Sequence, residues 1–132
     1  MLSRQLARWA FLLYALALFT ATHWPALEIP GEGRPDLWIH LAVFALWAAL
    51  LIAAGLFGPP LSIRNILAVA VLGAAWAALD EALQGIPWVR RHPGVDDWLC
   101  NVAGIALACL SALALRPLLD RRERRDRGPD RA

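Results

Sequence analysis

Four apolar stretches divide the chain, over about residues 6–22, 37–57, 65–86 and 97–115. A hydrocarbon core about 30 Å thick needs roughly 20 helical residues, so each stretch reads as a membrane span. The second is interrupted only by His40. Turn formers separate them: Glu28-Ile29-Pro30-Gly31-Glu32-Gly33-Arg34-Pro35, then Gly58-Pro59-Pro60, then Gly85 to Gly94 with Pro87 and Pro93. Proline lacks a backbone donor and cannot continue a helix. The pattern predicts an all-α polytopic membrane protein, a bundle of four transmembrane helices in one domain over residues 1–116. The tail at 117–132 is dense in charge and is expected to be disordered or a short surface helix. No internal repeat is visible. The first stretch has a basic start at Arg4 and Arg8, as a signal peptide would. His23, Trp24 and Pro25 stand where a small-residue cleavage site is needed, so a retained span is expected.

Composition moves the picture further towards lipid. The 132 residues are 59% hydrophobic and 18% charged, against about half and a quarter in soluble domains. The mean hydropathy is +0.49. Four spans leave no room for a separate soluble catalytic domain. All basic residues are arginine, which excludes lysine-based covalent chemistry. The net charge of +2 hides an asymmetry, because Arg116 to Arg131 holds seven arginines. After so apolar a body, a juxtamembrane basic segment is expected and no nucleic-acid partner. Arg4, Arg8, Arg64 and the tail fall on one side of four crossings, and Arg34, Arg90 and Arg91 on the other. The arginine excess predicts cytoplasmic termini. Trp24, Trp38, Trp88 and Trp98 would then ring the outer interface, with Trp9 at the inner one. Trp47 and Trp76 fall mid-span as packing residues. Cys100 and Cys109 fall on opposite faces of one helix, so they cannot pair and are expected to pack.

The third span carries the informative residues. Its uninterrupted part, Ile66 to Leu79, is 14 residues, about 21 Å of helix and too short to cross. The helix must continue through Asp80-Glu81-Ala82-Leu83-Gln84. A charge near the bilayer centre costs at least about 2.5–3.5 kcal/mol on insertion scales, less near the interface, and such residues usually face a bundle interior or a wet cavity. Asp80 and Glu81 each share a helix face with Gln84, and Gly73 and Ala77 continue the Asp80 stripe. The other helices offer polar groups at matching depth: Asp36 and His40, four apart, and Asp97 and Asn101, four apart, with Gly104 on that face. Arg90 and Arg91 lie in the intervening loop. The expected ligand-binding cluster is Asp36, His40, Asp80, Glu81, Gln84, Arg91, Asp97 and Asn101. Each has a plainer role open to it: interface anchoring for His40, a helix cap for Asp97, interhelical hydrogen bonding for Asn101. Asp80 and Glu81 are hardest to explain so, because lipid would otherwise face two carboxyls. Adjacent acids in low dielectric resist joint ionisation and are expected to titrate as a coupled pair.

These residues, in this order, resemble the VanZ-like family of small bacterial membrane proteins. The elements are Asp36…His40, then Asp80-Glu81-Ala82-Leu83-Gln84, then Arg91-His92-Pro93-Gly94, then Asp97-Trp98-Leu99-Cys100-Asn101…Gly104. Together they cover over half the chain. Leu37, Phe44, Gly94 and Ala108 depart from residues common in the family, where Lys, Tyr, Ser and Gly are frequent. The resemblance implies a cell-envelope role, with a loose link to resistance against the glycopeptide antibiotic teicoplanin. It brings no settled mechanism.

Three functions are expected to compete. The first is a non-enzymatic membrane protein that binds an envelope lipid, a lipid-linked cell-wall precursor or a partner through the outer cluster. It needs no cofactor and no metal. The second is a metal-assisted hydrolase or transferase acting on an envelope lipid, with Asp80, Glu81, His40 and Asp97 as oxygen and imidazole groups. No embedded serine or cysteine stands near His40 as a nucleophile. The third is a small proton-coupled transporter using the acidic pair as a relay. Whether the chain forms oligomers is not legible from its residues.

Overall fold

The computed structural model describes residues 3–25, 34–89 and 94–126, with side chains as far as Leu119. It contains four helices: α1 (Arg4–Thr22), α2 (Pro35–Ala54), α3 (Ile63–Gln84) and α4 (Val95–Asp126). All four are long and apolar enough to cross a membrane, α4 over Val95–Leu119. The protein is an all-helical, four-span bundle, and no strand occurs among the described residues.

Local chemistry sets most helix ends. Ser3 and Ser62 cap α1 and α3, their hydroxyls accepting from Leu6 N at 3.3 Å and Asn65 N at 3.2 Å. α2 stops at Ala54, three residues before its apolar run ends. Gly55 there takes a left-handed φ of 58°, and an added Cβ would lie 2.9 Å from the Gly58 carbonyl oxygen. Asn65 then clasps the α2–α3 connection. Its amide donates to the carbonyls of Ile52 at 3.0 Å and Pro60 at 2.9 Å, and its oxygen accepts from Phe57 N at 3.1 Å. A buried amide in a span is tolerated because every one of its groups is used. α4 does not end at the arginine-rich segment. It continues through Pro117 to Asp126, because the residues after Pro117 are mostly good helix formers.

Packing centres on α2 and α4. Gly104 of α4 lies against the backbone of α2, where an added Cβ would overlap the Leu41 carbonyl oxygen and sit 2.9 Å from Ala45 N. Small residues at helix contacts permit such close approach in lipid. Gly73 of α3 meets Ile105 and Trp47. Phe44, Ile66, Val69, Ala77 and Ile105 fill the interior. α1 docks along α2 on one flank. Tyr14 donates its hydroxyl to the Val43 carbonyl at 2.9 Å, Arg8 Nε donates to the Ala54 carbonyl at 3.2 Å, and Phe11 meets Trp47 edge-on. Large apolar side chains such as Leu13, Leu16, Val71 and Leu110 cover the outside. In water that surface would aggregate; against acyl chains it is neutral.

Candidate functional site

α1 and α3 finish at the same end of the bundle where α2 and α4 begin. This acidic end gathers the polar side chains. Asp80 and Glu81 are neighbours in α3 and so point about 100° apart around the helix. They consequently meet different partners.

Asp80 faces α1 and is 1% exposed. Its Oδ1 accepts from the Thr22 hydroxyl at 3.1 Å, and its Oδ2 accepts from Gln84 Nε2 at 3.1 Å. His23 adds an Nδ1 3.8 Å away, its ring stacked on Phe19. Both carboxylate oxygens are therefore satisfied by neighbours.

Glu81 faces α2 and α4 and is 6% exposed. Its Oε2 accepts from Gly94 N at 3.1 Å. Its Oε1 is buried with no hydrogen-bond partner. Opposite lies His40 of α2, whose Nδ1 is 2.9 Å from Asn101 Oδ1 of α4. An amide oxygen only accepts, so Nδ1 carries the proton and Nε2 presents its lone pair. Nε2 stands 3.9 Å from Asp97 Oδ2, beyond hydrogen bonding. His40, Glu81 and Asp97 each place one donor atom within 4.8 Å of the others.

Arg34 spans the top of this group. It donates to Asp97 Oδ1 at 3.1 Å, Asp96 Oδ2 at 3.1 Å and Asp36 Oδ2 at 3.3 Å. Hydrogen bonding to Asp36 is the main cause that raises its guanidinium above the ordinary arginine value. Exposed ion pairs contribute little stability, so the geometric effect matters more: Arg34 occupies one oxygen of Asp97 and leaves the other facing His40. Asp97 lies in the first turn of α4, where the helix dipole favours a negative charge.

Two further buried atoms near Glu81 and His40 have no partner, Asn101 Nδ2 and Trp98 Nε1. Beside them a cavity of about 210 Å³ is lined by Ala78, Glu81, Gly94, Val95 and Trp98. Ala78 and Val95 are exposed on the flank of the bundle, so the cavity opens sideways between α3 and α4. A larger groove of about 540 Å³ between α2 and α4 has only Ser111 as a polar side chain in its lining.

Of the residues expected to cluster, His40, Glu81, Asp97 and Asn101 converge directly. Asp36 joins through Arg34. Asp80 and Gln84 form a separate group with Thr22. Arg91 and Arg90 lie outside the described residues; among the described residues, Arg34 reaches the carboxylates. Trp98, expected in the outer belt, turns inward and lines the cavity, whereas Trp24, Trp38 and Trp88 are exposed. Thr22 and His23 were not expected as partners. Their signal was present: two polar residues close the first apolar run, at the depth where Asp80 closes the third. The chain matches no protein-family model, and no curated protein or solved structure aligns with it significantly.

Proposed function

We propose that this protein is a multi-pass protein of the cell membrane that binds the headgroup of an envelope lipid, or of a lipid-linked cell-wall precursor, at its acidic end. Both termini are cytoplasmic in this reading, and the acidic end lies in the outer leaflet. Arg4, Arg8, Arg64 and the arginines after Arg116 would then sit inside, as the distribution of charge favours. The VanZ-like pattern of Asp36, His40, Asp80, Glu81, Asp97 and Asn101 agrees with an envelope role, and any link to glycopeptide resistance rests on that pattern alone.

One observation carries the proposal. Glu81 Oε1 and Trp98 Nε1 are buried without partners on two residues that line the cavity between α3 and α4, and Asn101 Nδ2, one turn along α4 from Trp98, is buried and unpaired as well. Buried polar atoms in a folded protein are normally paired, and each exception asks for an explanation. Here the unpaired set includes both kinds of group. Glu81 Oε1 accepts, as a hydroxyl of a headgroup requires. Asn101 Nδ2 and Trp98 Nε1 donate, as phosphate or carbonyl oxygens require. A sideways opening lets an amphiphile enter without leaving the membrane. An anchor held by its tail also reaches a high local concentration at the site.

Native mass spectrometry of the protein released from mild detergent tests this. The wild type should retain a phosphate-bearing lipid. Trp98→Phe, which keeps the ring and removes the free donor, should retain at least about tenfold less, since losing one buried hydrogen bond to a charged group is worth about 1.5 kcal/mol or more. The same adducts on both proteins would place the lipid elsewhere on the apolar surface and reject the proposal.

A further inference from the structure

We infer that His40, Glu81 and Asp97 form a binding site for a first-row divalent cation such as Zn²⁺. The inference shares Glu81 Oε1 with the proposed headgroup site, so with an ion in place the headgroup would meet the ion there instead of that oxygen; it does not depend on that site, because an ion would bind the protein in detergent with no lipid present.

The three side chains converge closely enough for a small inward shift to bring them around one ion. One imidazole nitrogen and two carboxylates, from three different helices, bring donor atoms within 4.8 Å of one another. Metal–ligand bonds of about 2.0–2.2 Å hold ligand atoms roughly 3–4 Å apart. The 3.9 Å between His40 Nε2 and Asp97 Oδ2 falls in that interval and is too long for a direct hydrogen bond.

The surroundings support the same conclusion. A metal-bound histidine usually donates its other ring N–H to an oxygen, which fixes the tautomer and aims the lone pair. His40 does so towards Asn101 Oδ1 at 2.9 Å, with both residues buried. Each carboxylate is likewise held by one oxygen and free at the other. Gly94 N holds Glu81 Oε2, and Arg34 holds Asp97 Oδ1. Glu81 is more than nine-tenths buried, and its Oε1 has no partner. Leaving a carboxylate oxygen buried and unpaired is costly. A second carboxylate within a few ångströms adds repulsion in low dielectric. A divalent cation removes both penalties at once. Asp80 is not part of the set, since both its oxygens are already engaged.

Mixed imidazole and carboxylate ligands suit Zn²⁺, Co²⁺, Mn²⁺ or Fe²⁺ better than Ca²⁺ or Mg²⁺, which favour all-oxygen cages. Three protein ligands leave a position open for water or another oxygen ligand.

The test uses the full chain in detergent micelles, treated with a chelator and then titrated with Co²⁺. The expected result is one ion per chain, with ligand-field absorption of nitrogen–oxygen coordination and displacement by Zn²⁺. His40→Ala should abolish the signal. Asn101→Ala, which leaves the ligands and removes the group orienting the imidazole, should weaken binding about 10–100-fold. Glu123→Gln, at the far, arginine-rich end of α4, should leave it unchanged. The wild-type spectrum is decisive even where a variant fails to fold. No absorption change in folded wild type would overturn the inference, as would thiolate charge transfer, which would put the ion on Cys100 or Cys109. Equal loss from Glu123→Gln and His40→Ala would reduce the effect to non-specific attraction by acidic residues and overturn it too.

Discussion

Gly104→Leu should leave no stably folded bundle. The Gly104 Cα lies against the backbone of α2, and even one added carbon would overlap the Leu41 carbonyl oxygen. Backbone cannot rotate aside as a flexible side chain can, so the helices must separate. Overpacking a tight contact costs about 1–3 kcal/mol for modest insertions. Alanine should fall at the upper end of that range and leucine beyond it. The damage should also reach the site. Gly104 sits one turn from Asn101, and Leu41 follows His40, so the contact that brings the backbones together also brings the imidazole to the amide at 2.9 Å. Thermal unfolding in detergent, followed by tryptophan near-ultraviolet circular dichroism, checks this. Gly104→Ala should melt well below wild type, and Gly104→Leu should show no cooperative transition.

Asp80→Ala should be the next most damaging change at the acidic end. The Asp80 carboxylate accepts from Gln84 Nε2 and the Thr22 hydroxyl, and it is the link between the last turns of α1 and α3. Its removal strands the fully buried Gln84 amide beside a cavity. An orphaned buried group costs about 1–3 kcal/mol, and the lost contact to α1 adds to it, for a total of roughly 3 kcal/mol. α1 is the least buried of the four helices and should loosen first. Limited proteolysis of the α1–α2 connection, together with the melting temperature, measures this. A variant as stable and as resistant as wild type would mean that Asp80 does not hold α1.

The contrast between Asp80 and its neighbour shows what a sequence of this kind discloses. The four spans were legible because crossing a hydrocarbon core imposes a length on apolar runs, and Pro59-Pro60 marks a break. Pairs three and four apart were legible too: Gln84 does reach Asp80, and Asn101 and Gly104 do share the face that meets α2. Helix rotation was not. These helices are apolar on every side, so no amphipathic stripe fixes which face turns inward. That is why the division of Asp80 and Glu81 between two neighbours was hidden, and why Trp98 was expected at the surface. Arg34 was overlooked as the partner of Asp36, Asp96 and Asp97 because its reach across the α2 and α4 starts depends on how those ends are brought together. Asn65 gave no signal beyond its position at a helix start, since its value lies in three carbonyl and amide groups that the fold places around it.

Two adjacent acids thus differ: Asp80 has both oxygens engaged by neighbours, whereas Glu81 keeps one oxygen buried and unpaired, and the proposed function gives that oxygen to a ligand. The melting temperature of Glu81→Gln separates these most directly. The amide oxygen of glutamine can still accept from Gly94 N, while the unpaired buried charge is removed. If Glu81 serves a ligand, the variant should melt at or above the wild-type temperature in lipid-free, metal-free detergent, as functional groups often cost stability. A drop as large as that of Asp80→Ala would show that Glu81 is structural and would contradict the proposed site.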